Sequence, residues 1–245
     1  MEAMTVLTWG RYLKPMERYG AQVTYSPTAV TYSSPLLSPG TSVYTWHSRL
    51  NFQNARMQGE LPILLGKHRY HLASDFTDEP ADSVYFKVTI YDQYHDFMKD
   101  IIINGHDGDF EYPEHASEYE ISLVVKSNQS ITFRYLILGE ADNFKNLSFK
   151  VSPDLKLTEF SYPKANGLDV YIGRRDSGSW TVPVQSDHVQ IFYRLSNSEI
   201  NDPVKVDAVI DKLLKAIKQD KQLGKLPIRV RSYGYPLSKI NKAKE

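Results

Sequence analysis

The 245-residue chain contains no cysteine. Disulfide bridges and thiolate metal sites are therefore excluded, although the absence of cysteine does not identify a cellular compartment. No apolar run approaches the roughly 20 residues that a membrane-spanning helix needs. The opening residues MEAMTVLTWGRY have neither a basic start nor a long apolar stretch, so they predict no signal peptide. We therefore expect a cytoplasmic protein.

The sequence also lacks the patterns that support catalysis. It has no G-x-S-x-G motif, and the segment Ser177–Ser179 is typical of a flexible turn. The seven histidines are scattered. His68 and His71 are three residues apart on a predicted strand, so their side chains point to opposite faces and cannot share a metal ion. These features predict a protein that is not an enzyme and that holds neither a metal nor a cofactor.

One predicted turn is rich in oxygen-bearing side chains. Its members are Asn104, Asp107, Asp109 and Glu111. A calcium ion needs about six to eight oxygen ligands, and the calcium-loop signature with its closing glutamate is absent here. We interpret the segment as a plain polar turn, with a structural calcium ion near Asp107 as the alternative.

The chain does contain enough apolar material for a sizeable core. Hydrophobic residues make up 41% of it and aromatic residues 12%, including 17 tyrosines, which argues against disorder. The formal net charge is zero, but the charges are uneven. Residues 203–245 carry 11 Lys and Arg against 4 Asp and Glu, whereas residues 1–202 carry 18 against 25. This asymmetry predicts an acidic body with a basic tail suited to an anionic partner.

The clearest alternation lies between Leu61 and Gln93. An apolar ledge, Leu61–Leu65, precedes a predicted strand at Arg69–Phe76 and a turn that ends at Pro80. The next predicted strand, Ser83–Tyr91, places one set of apolar side chains on one face, namely Val84, Phe86, Val88 and Ile90. The other face carries Tyr85, Lys87, Thr89 and Tyr91. This period of two is typical of an antiparallel sheet with one buried and one exposed face.

Alternating segments continue as far as residue 160. About nine predicted strands are separated by polar turns without an intervening helix, which favours an antiparallel β-sandwich or jelly roll. Two strands, a helix from Pro203 to about Gln222 and a final strand follow. Asn201 or Asp202 suits the helix N-cap, and Gly224 suits the residue after its end. We therefore predict a mainly β domain over residues 1–160 and a small ββαβ appendage over residues 161–245.

The appendage supplies a predicted basic surface. Its members are Lys212, Lys215, Lys218, Lys221, Arg229 and Arg231. Anionic lipid headgroups at a membrane surface or an acidic protein are the partners that suit such a surface. Nucleic acid is not expected, because no aromatic or groove-reading pattern accompanies the charge. The alternative is a solvated helix face that is kept positive for solubility.

Between Trp9 and Val151, a series of short motifs follows a recognisable order and spacing. The motifs are Tyr19-Gly20, LLSPG at residues 36–40, Trp46-His47-Ser48, LPILL at residues 61–65 with Gly66, Tyr70-His71-Leu72, Glu79-Pro80, Ser83-Val84-Tyr85, residues 119–123 and residues 131–138. Together they resemble the third accessory secretory protein of the bacterial accessory Sec system, which exports serine-rich-repeat glycoprotein adhesins in Gram-positive bacteria. The resemblance departs at Tyr91-Asp92-Gln93 and does not extend beyond residue 160.

The resemblance implies a cytoplasmic, non-enzymatic subunit that joins two other accessory secretory proteins. The family's complex escorts the glycosylated serine-rich-repeat preprotein to a SecA-type motor. The family's fold resembles a carbohydrate-binding module, in agreement with the sandwich predicted from alternation. A free-standing carbohydrate-binding module is the alternative function.

The exposed face of the strand Ser83–Tyr91 is the predicted binding surface. Tyr85, Lys87, Thr89 and Tyr91 combine aromatic rings with polar groups, as a sugar-binding surface requires. Tyrosine is also enriched at protein–protein interfaces. We predict that this face contacts a partner protein, with a glycan, or packing against the tail, as alternatives.

Overall fold

The computed structural model describes residues 3–11, 16–50, 59–127, 130–174 and 179–233. Strands dominate these ranges. They are β1 (Ala3–Leu7), β2 (Gln22–Tyr25), β3 (Val30–Ser33), β4 (Ser42–His47), β5 (Arg69–Glu79), β6 (Val84–Asp92), β7 (Phe97–Asn104), β8 (Asp107–Glu111), β9 (Ala116–Val125), β10 (Ser130–Glu140), β11 (Ser148–Val151), β12 (Leu157–Ser161), β13 (Gly167–Arg174), β14 (Ser179–Pro183), β15 (His188–Leu195) and β16 (Ile228–Tyr233). The helices are α1 (Ala141–Phe144), α2 (Asn197–Ile200) and α3 (Pro203–Gln219), and a 3-10 turn covers Leu223–Lys225.

The described residues form two compact units. The sandwich unit comprises residues 3–145 together with residues 179–181 of β14. The C-terminal unit comprises the other described residues, from 146 to 174 and from 182 onward. The chain thus divides at residue 146 instead of near residue 160, because β11 pairs with β12 and β12 pairs with β15. The C-terminal unit is accordingly larger than the ββαβ appendage expected from the sequence.

Two sheets build the sandwich unit. The larger sheet has the order β14-β1-β10-β3-β2, with β5 also paired to β10 and β8 paired to β5, and the smaller sheet has the order β4-β9-β6-β7. All strand pairs of this unit with a described register are antiparallel. The core lies between the sheets, where the rings of Trp46 and Phe133 are 5.3 Å apart and both side chains are fully buried. The prediction of a mainly β, antiparallel sandwich is confirmed.

The alternation predicted for β6 is also confirmed. Its inward side chains, each at most 1% exposed, are Val84, Phe86, Val88 and Ile90. Burying each such side chain contributes about 1.5–3 kcal/mol of transfer free energy. A slip of one residue would move all four to the outside, so their burial fixes the register of the strand.

The segment after β6 differs from the sequence prediction. The pattern predicts a strand only at Ile101–Ile103 and a polar turn after it. In the structure β7 already starts at Phe97, and Asp107–Glu111 form β8. β8 pairs with β5, with Glu111 opposite Arg69. Pairing with a partner strand overrides the low strand propensity of an Asp- and Gly-rich sequence.

The C-terminal unit is a five-stranded sheet covered on one face by a helix. The strand order is β11-β12-β15-β13-β16, and β13 runs parallel to both β15 and β16. α3 packs its apolar stripe, Val206, Ile210, Leu213 and Ile217, against the sheet. The sheet residues beneath it are Leu168, Val170, Ile172, Val189, Ile191 and Leu195. The helix predicted to begin at Pro203 is therefore confirmed.

The ends of α3 are set by two aspartates. The Asp202 side chain accepts hydrogen bonds from the backbone N–H groups of Val204 and Lys205, as an N-cap does. The helix ends at Gln219, earlier than predicted, and Asp220 is its C-cap in an extended conformation. Within the described ranges no helix is long and apolar enough to cross a membrane.

Candidate functional site

The outward residues of β6 lie at the centre of the smaller sheet. β9 borders them on one side and β7 on the other. In register, Tyr85, Lys87, Thr89 and Tyr91 are opposite Val124, Ser122, Glu120 and Glu118 of β9. On the β7 side they are opposite Asn104, Ile102, Asp100 and Phe97. The four predicted residues thus share one sheet face, which we call the outer face, although Thr89 is only 7% exposed.

A hydrogen-bonded network occupies one end of the outer face. His47 Nδ1 lies 2.9 Å from Glu120 Oε1, and the Tyr91 hydroxyl bonds the same carboxylate. Burial acts to raise the pKa of Glu120, but the hydrogen bond and charge of His47 hold that pKa below its ordinary value. Burial raises the pKa of Tyr91, and the carboxylates of Glu120 and Asp100 raise it further. The network therefore presents a carboxylate beside a neutral phenol.

The ring of Tyr91 is stacked on His95. Their ring centroids are 4.9 Å apart with an interplanar angle of 15°. His95 Nδ1 lies 3.0 Å from Glu118 Oε2, and Arg49 Nη1 lies 2.7 Å from Glu118 Oε1. One face of Tyr91 is therefore covered by an imidazole that a second strand holds in place. Because a sugar stacks on an open aromatic face, the arrangement at Tyr91 favours a polypeptide contact over a pyranose.

Three exposed apolar side chains beside this network were not predicted. Tyr94 is 75% exposed, Phe97 62% and Ile102 49%. Phe97 and Ile102 lie opposite outward residues of β6, and Tyr94 lies in the turn that joins β6 to β7. The run of three isoleucines at residues 101–103 is the feature of the sequence from which an exposed apolar side chain could have been predicted. Successive strand residues alternate between faces, so such a run must place an isoleucine outward.

The apolar ledge Leu61–Leu65 crosses from the end of β4 to the start of β5. The His47 carbonyl accepts hydrogen bonds from the N–H groups of residues 60 and 61. The Tyr119 hydroxyl donates to the carbonyl of Pro62 at 2.7 Å, and the N–H of Leu65 donates to the Tyr70 hydroxyl at 2.8 Å.

The side chains of the ledge alternate between core and solvent. Leu61 and Leu64 are 6% and 8% exposed, whereas Ile63 is 95% and Leu65 57% exposed. The hydrogen bonds at both ends of the ledge fix its backbone, and with it the direction in which these two exposed side chains leave the chain. The ledge is therefore a preorganised apolar projection.

Glu60 is a buried acid at the start of the ledge. Neither of its carboxyl oxygens has a hydrogen-bond partner among the described residues. Burial raises the pKa of Glu60 to about 7, and the nearby charge of His47 opposes that shift. The side chain therefore exchanges its proton near neutral pH, directly beside the exposed ledge.

The oxygen-rich segment around Asp107 does not converge on a point. Asp107, Asp109 and Glu111 lie on one face of β8, and Asp109 pairs with Arg69 Nη2 at 2.8 Å and with His71 Nδ1. In the part of the chain that the structure describes, no three Asp, Glu, His or Cys side chains are close enough to hold a metal ion. The expected polar turn is wrong here, because residues 107–111 form a strand.

The predicted basic surface is not continuous. Lys212, Lys215 and Lys218 are exposed on α3, and Lys221 follows the helix. Arg229 and Arg231 lie on β16, in register with Asp169 and Tyr171 of β13. The alternate residues of β13 pack against α3, so the two arginines belong to the opposite sheet face. Arg231 Nε also lies 3.3 Å from the fully buried carboxylate of Asp169. This ion pair neutralises part of the positive charge of Arg231.

These features define a β-sandwich protein with a polar aromatic outer face, an exposed apolar ledge and exposed apolar side chains on and before β7, a construction suited to binding. The family model for "Accessory Sec secretory system ASP3" matches residues 17–140. The chain belongs to that family.

Known relatives agree with this assignment. An accessory Sec system protein ASP3 from Staphylococcus aureus (strain NCTC 8325 / PS 47) is 28% identical over 156 residues, 64% of this chain and 49% of the relative, so the chain spans about half of that protein. One chain in the crystal structure of accessory secretory proteins 1, 2 and 3 from Streptococcus pneumoniae is 35% identical to this chain, with a TM-score of 0.53. The match covers 55% of this chain and 94% of that chain. A chain in the glycosylation associate protein (Gap123) complex from Streptococcus agalactiae is 20% identical, with a TM-score of 0.54. The match covers 94% of this chain and 71% of that chain, and it shows that the two chains share a fold.

Proposed function

We propose that this chain is a non-enzymatic subunit of an accessory Sec export complex and that it assembles with two other accessory secretory proteins. The observation that carries the proposal is its 35% identity to a chain from a crystal structure of accessory secretory proteins 1, 2 and 3, of which it covers 94%. The curated relative from Staphylococcus aureus is also named as a component of the accessory Sec system. Both names belong to secretion components, which supports a role in assembly.

Two surfaces of the sandwich unit suit such an assembly. The outer face offers Tyr85, Lys87, Thr89 and Tyr91, and the ledge offers Ile63 and Leu65. Burying an exposed isoleucine or leucine against a partner contributes about 1.5–3 kcal/mol each. A projection that is already held rigid loses little conformational entropy on binding. The exposed ledge therefore supports a subunit role better than the role of a free-standing carbohydrate-binding module, for which it has no use.

The wider role follows from the resemblance of the sequence to the family. The complex works in the cytoplasm, where it receives the glycosylated serine-rich-repeat preprotein and delivers it to a SecA-type motor. The exposed lysines of α3, Lys212, Lys215 and Lys218, would meet acidic protein or anionic headgroups near that motor. Each lysine close to an anionic membrane adds about 1 kcal/mol of attraction. A glycan contact at Tyr85 and Lys87 is the second candidate for the outer face.

Co-expression separates the subunit from the carbohydrate-binding module. The full chain would be expressed with the two other accessory secretory proteins of its own organism and analysed by size-exclusion chromatography with light scattering. A subunit elutes together with both proteins at a single, larger mass. A carbohydrate-binding module elutes alone, and it is retained on a resin that carries immobilised carbohydrate. The second result would reject the proposal.

A further inference from the structure

We infer that the hairpin formed by β6 and β7 docks a polypeptide segment that combines apolar and basic side chains, contributed by one of the two partner secretory proteins. This inference rests on the proposed function and adds to it the site and the chemistry of the contact. The hairpin surface is defined by residues 91–102. It includes the outward end of β6, the turn with Tyr94, and the outward residues of β7.

The first argument is the apolar part of the hairpin surface. Tyr94, Phe97 and Ile102 are 75%, 62% and 49% exposed, so folding of this chain leaves them largely uncovered. Among the described residues β7 pairs with β6 alone and is the last strand of its sheet, so Phe97 and Ile102 lie on an edge strand. An exposed apolar edge strand invites uncontrolled association unless something covers it. Large exposed aromatic and aliphatic side chains along one edge strand are typical of interface anchors.

The second argument is the charge around these side chains. Within residues 91–102 the carboxylates of Asp92, Asp96 and Asp100 stand against the single cation Lys99. Beside the hairpin, Glu118 and Glu120 are accompanied by the cations Lys87, Arg49 and Lys126, and Lys126 Nζ lies 5.9 Å from the ring centroid of Tyr85. Arg49 is paired with Glu118, and Lys87 only reaches Asp100 at 3.9 Å. An excess of negative charge around an apolar centre is complementary to a segment with lysine or arginine beside its apolar anchors.

The same charges argue against other occupants. Anionic lipid headgroups and nucleic acid would be repelled by the carboxylates. A sugar would need an open aromatic face, and one face of Tyr91 is covered by His95. A basic and apolar polypeptide satisfies both features of the hairpin surface at once.

The test uses the full chain and the two purified partner proteins, with calorimetric titration at low and high salt (about 0.05 and 0.5 M NaCl). One variant, Phe97→Ser with Ile102→Ser, removes the apolar anchors. A second, Asp96→Asn with Asp100→Asn, removes charge while keeping shape. The matched control is Tyr19→Ser with Leu36→Ser, because these side chains are 80% and 70% exposed elsewhere on the sandwich unit. Circular dichroism and a thermal melt confirm that each variant is folded.

We expect the apolar variant to weaken binding at least about tenfold at both salt concentrations. The charge variant should weaken it several-fold at low salt and much less at high salt, and the control should bind like the wild type. If the wild type binds both partners and neither hairpin variant differs from it, this inference is wrong while the proposed function stands. Tighter binding by the charge variant would likewise overturn it, because the partner surface would then be acidic. If the wild type binds neither partner, the proposed function itself has failed.

Discussion

The sandwich unit and the C-terminal unit differ in what they expose. Residues 3–145 carry 12 Lys and Arg against 17 Asp and Glu, whereas the rest of the chain carries 17 against 12. Among the described residues, seven of the eight strongly exposed large hydrophobic side chains belong to the sandwich unit, and the eighth is Val204. In the C-terminal unit, α3 covers an apolar face of the sheet and turns its lysines to solvent.

This difference indicates that the apolar stripe of α3 stabilises the C-terminal unit, whereas the exposed apolar side chains of the sandwich unit serve binding. The C-terminal unit buries the apolar stripe of its helix against its own sheet, so that contact explains why those residues are apolar. The sandwich unit already has a complete core between its sheets, and Ile63, Phe97 and Ile102 add nothing to it. Ile63 with Leu65 on the ledge, and Phe97 with Ile102 on β7, are therefore expected to contact another molecule. Partner binding should follow changes in the sandwich unit more than changes in the C-terminal unit.

The largest expected effect concerns the core of the sandwich unit. Phe86→Ala should lower the free energy of unfolding by about 3–5 kcal/mol, because it removes a fully buried ring. The neighbouring Tyr85→Ala is the matched control and should cost less than about 1 kcal/mol, as for a surface side chain. Urea unfolding followed by tryptophan fluorescence gives both values. Equal losses would mean that the two faces of β6 have been assigned wrongly.

A smaller effect is expected from the buried acid beside the ledge. The raised pKa of Glu60 means that the folded state holds its proton between pH 4.5 and about 7, whereas the unfolded state has released it. Unfolding therefore releases a proton in this window, and the stabilising contribution of the protonated carboxyl group declines as pH rises through it, by about 3 kcal/mol in total. Glu60→Gln should match the wild type near pH 4.5 and be more stable by that amount at pH 8.

Unfolding curves at several pH values check this prediction, and Glu79→Gln, at an exposed position, serves as the control. If the difference between Glu60→Gln and the wild type stays constant with pH, the carboxyl group does not titrate near neutrality.

The smallest effect on stability is expected in the C-terminal unit. Replacing Lys212, Lys215 and Lys218 by glutamine should change the free energy of unfolding by less than about 0.5 kcal/mol, since all three are exposed. Sedimentation with vesicles that contain phosphatidylserine at low salt measures their electrostatic role. The wild type should sediment more than the variant, and the difference should vanish at high salt. Identical sedimentation at low salt would leave the lysines with a role in solubility alone.

Much of the fold could be predicted from the sequence because it depends on local periodicity. The alternation of β6 and the apolar stripe of α3 are properties of short segments, and both appear in the structure as expected. Strand β8 could not be predicted, because its Asp- and Gly-rich sequence becomes a strand only through pairing with β5, nearly forty residues earlier. The boundary near residue 160 failed for the same reason. β12 has the pattern of any short strand, and only its pairing with β15 assigns it to the C-terminal unit.

The candidate site likewise has one part that could be predicted from local periodicity and another that depends on contacts distant in sequence. The position of Tyr85, Lys87, Thr89 and Tyr91 on one face follows from a period of two. The stacking of Tyr91 on His95 and the contact of His47 with Glu120 depend on turns and on neighbouring strands. For the basic surface, closeness in sequence was misleading. The fold places Lys212, Lys215 and Lys218 on the helix but Arg229 and Arg231 on the face of the sheet that points away from that helix.

The most direct test of the comparison is a calorimetric titration of the two partner secretory proteins with three forms of the full chain. One is the wild type, one carries Ile63→Ser with Leu65→Ser in the sandwich unit, and one carries Lys212→Gln, Lys215→Gln and Lys218→Gln in the C-terminal unit. We predict that the wild type binds, that the ledge variant binds at least about tenfold more weakly, and that the lysine variant stays within about twofold of the wild type. Loss of binding in the lysine variant together with unchanged binding in the ledge variant would contradict the account.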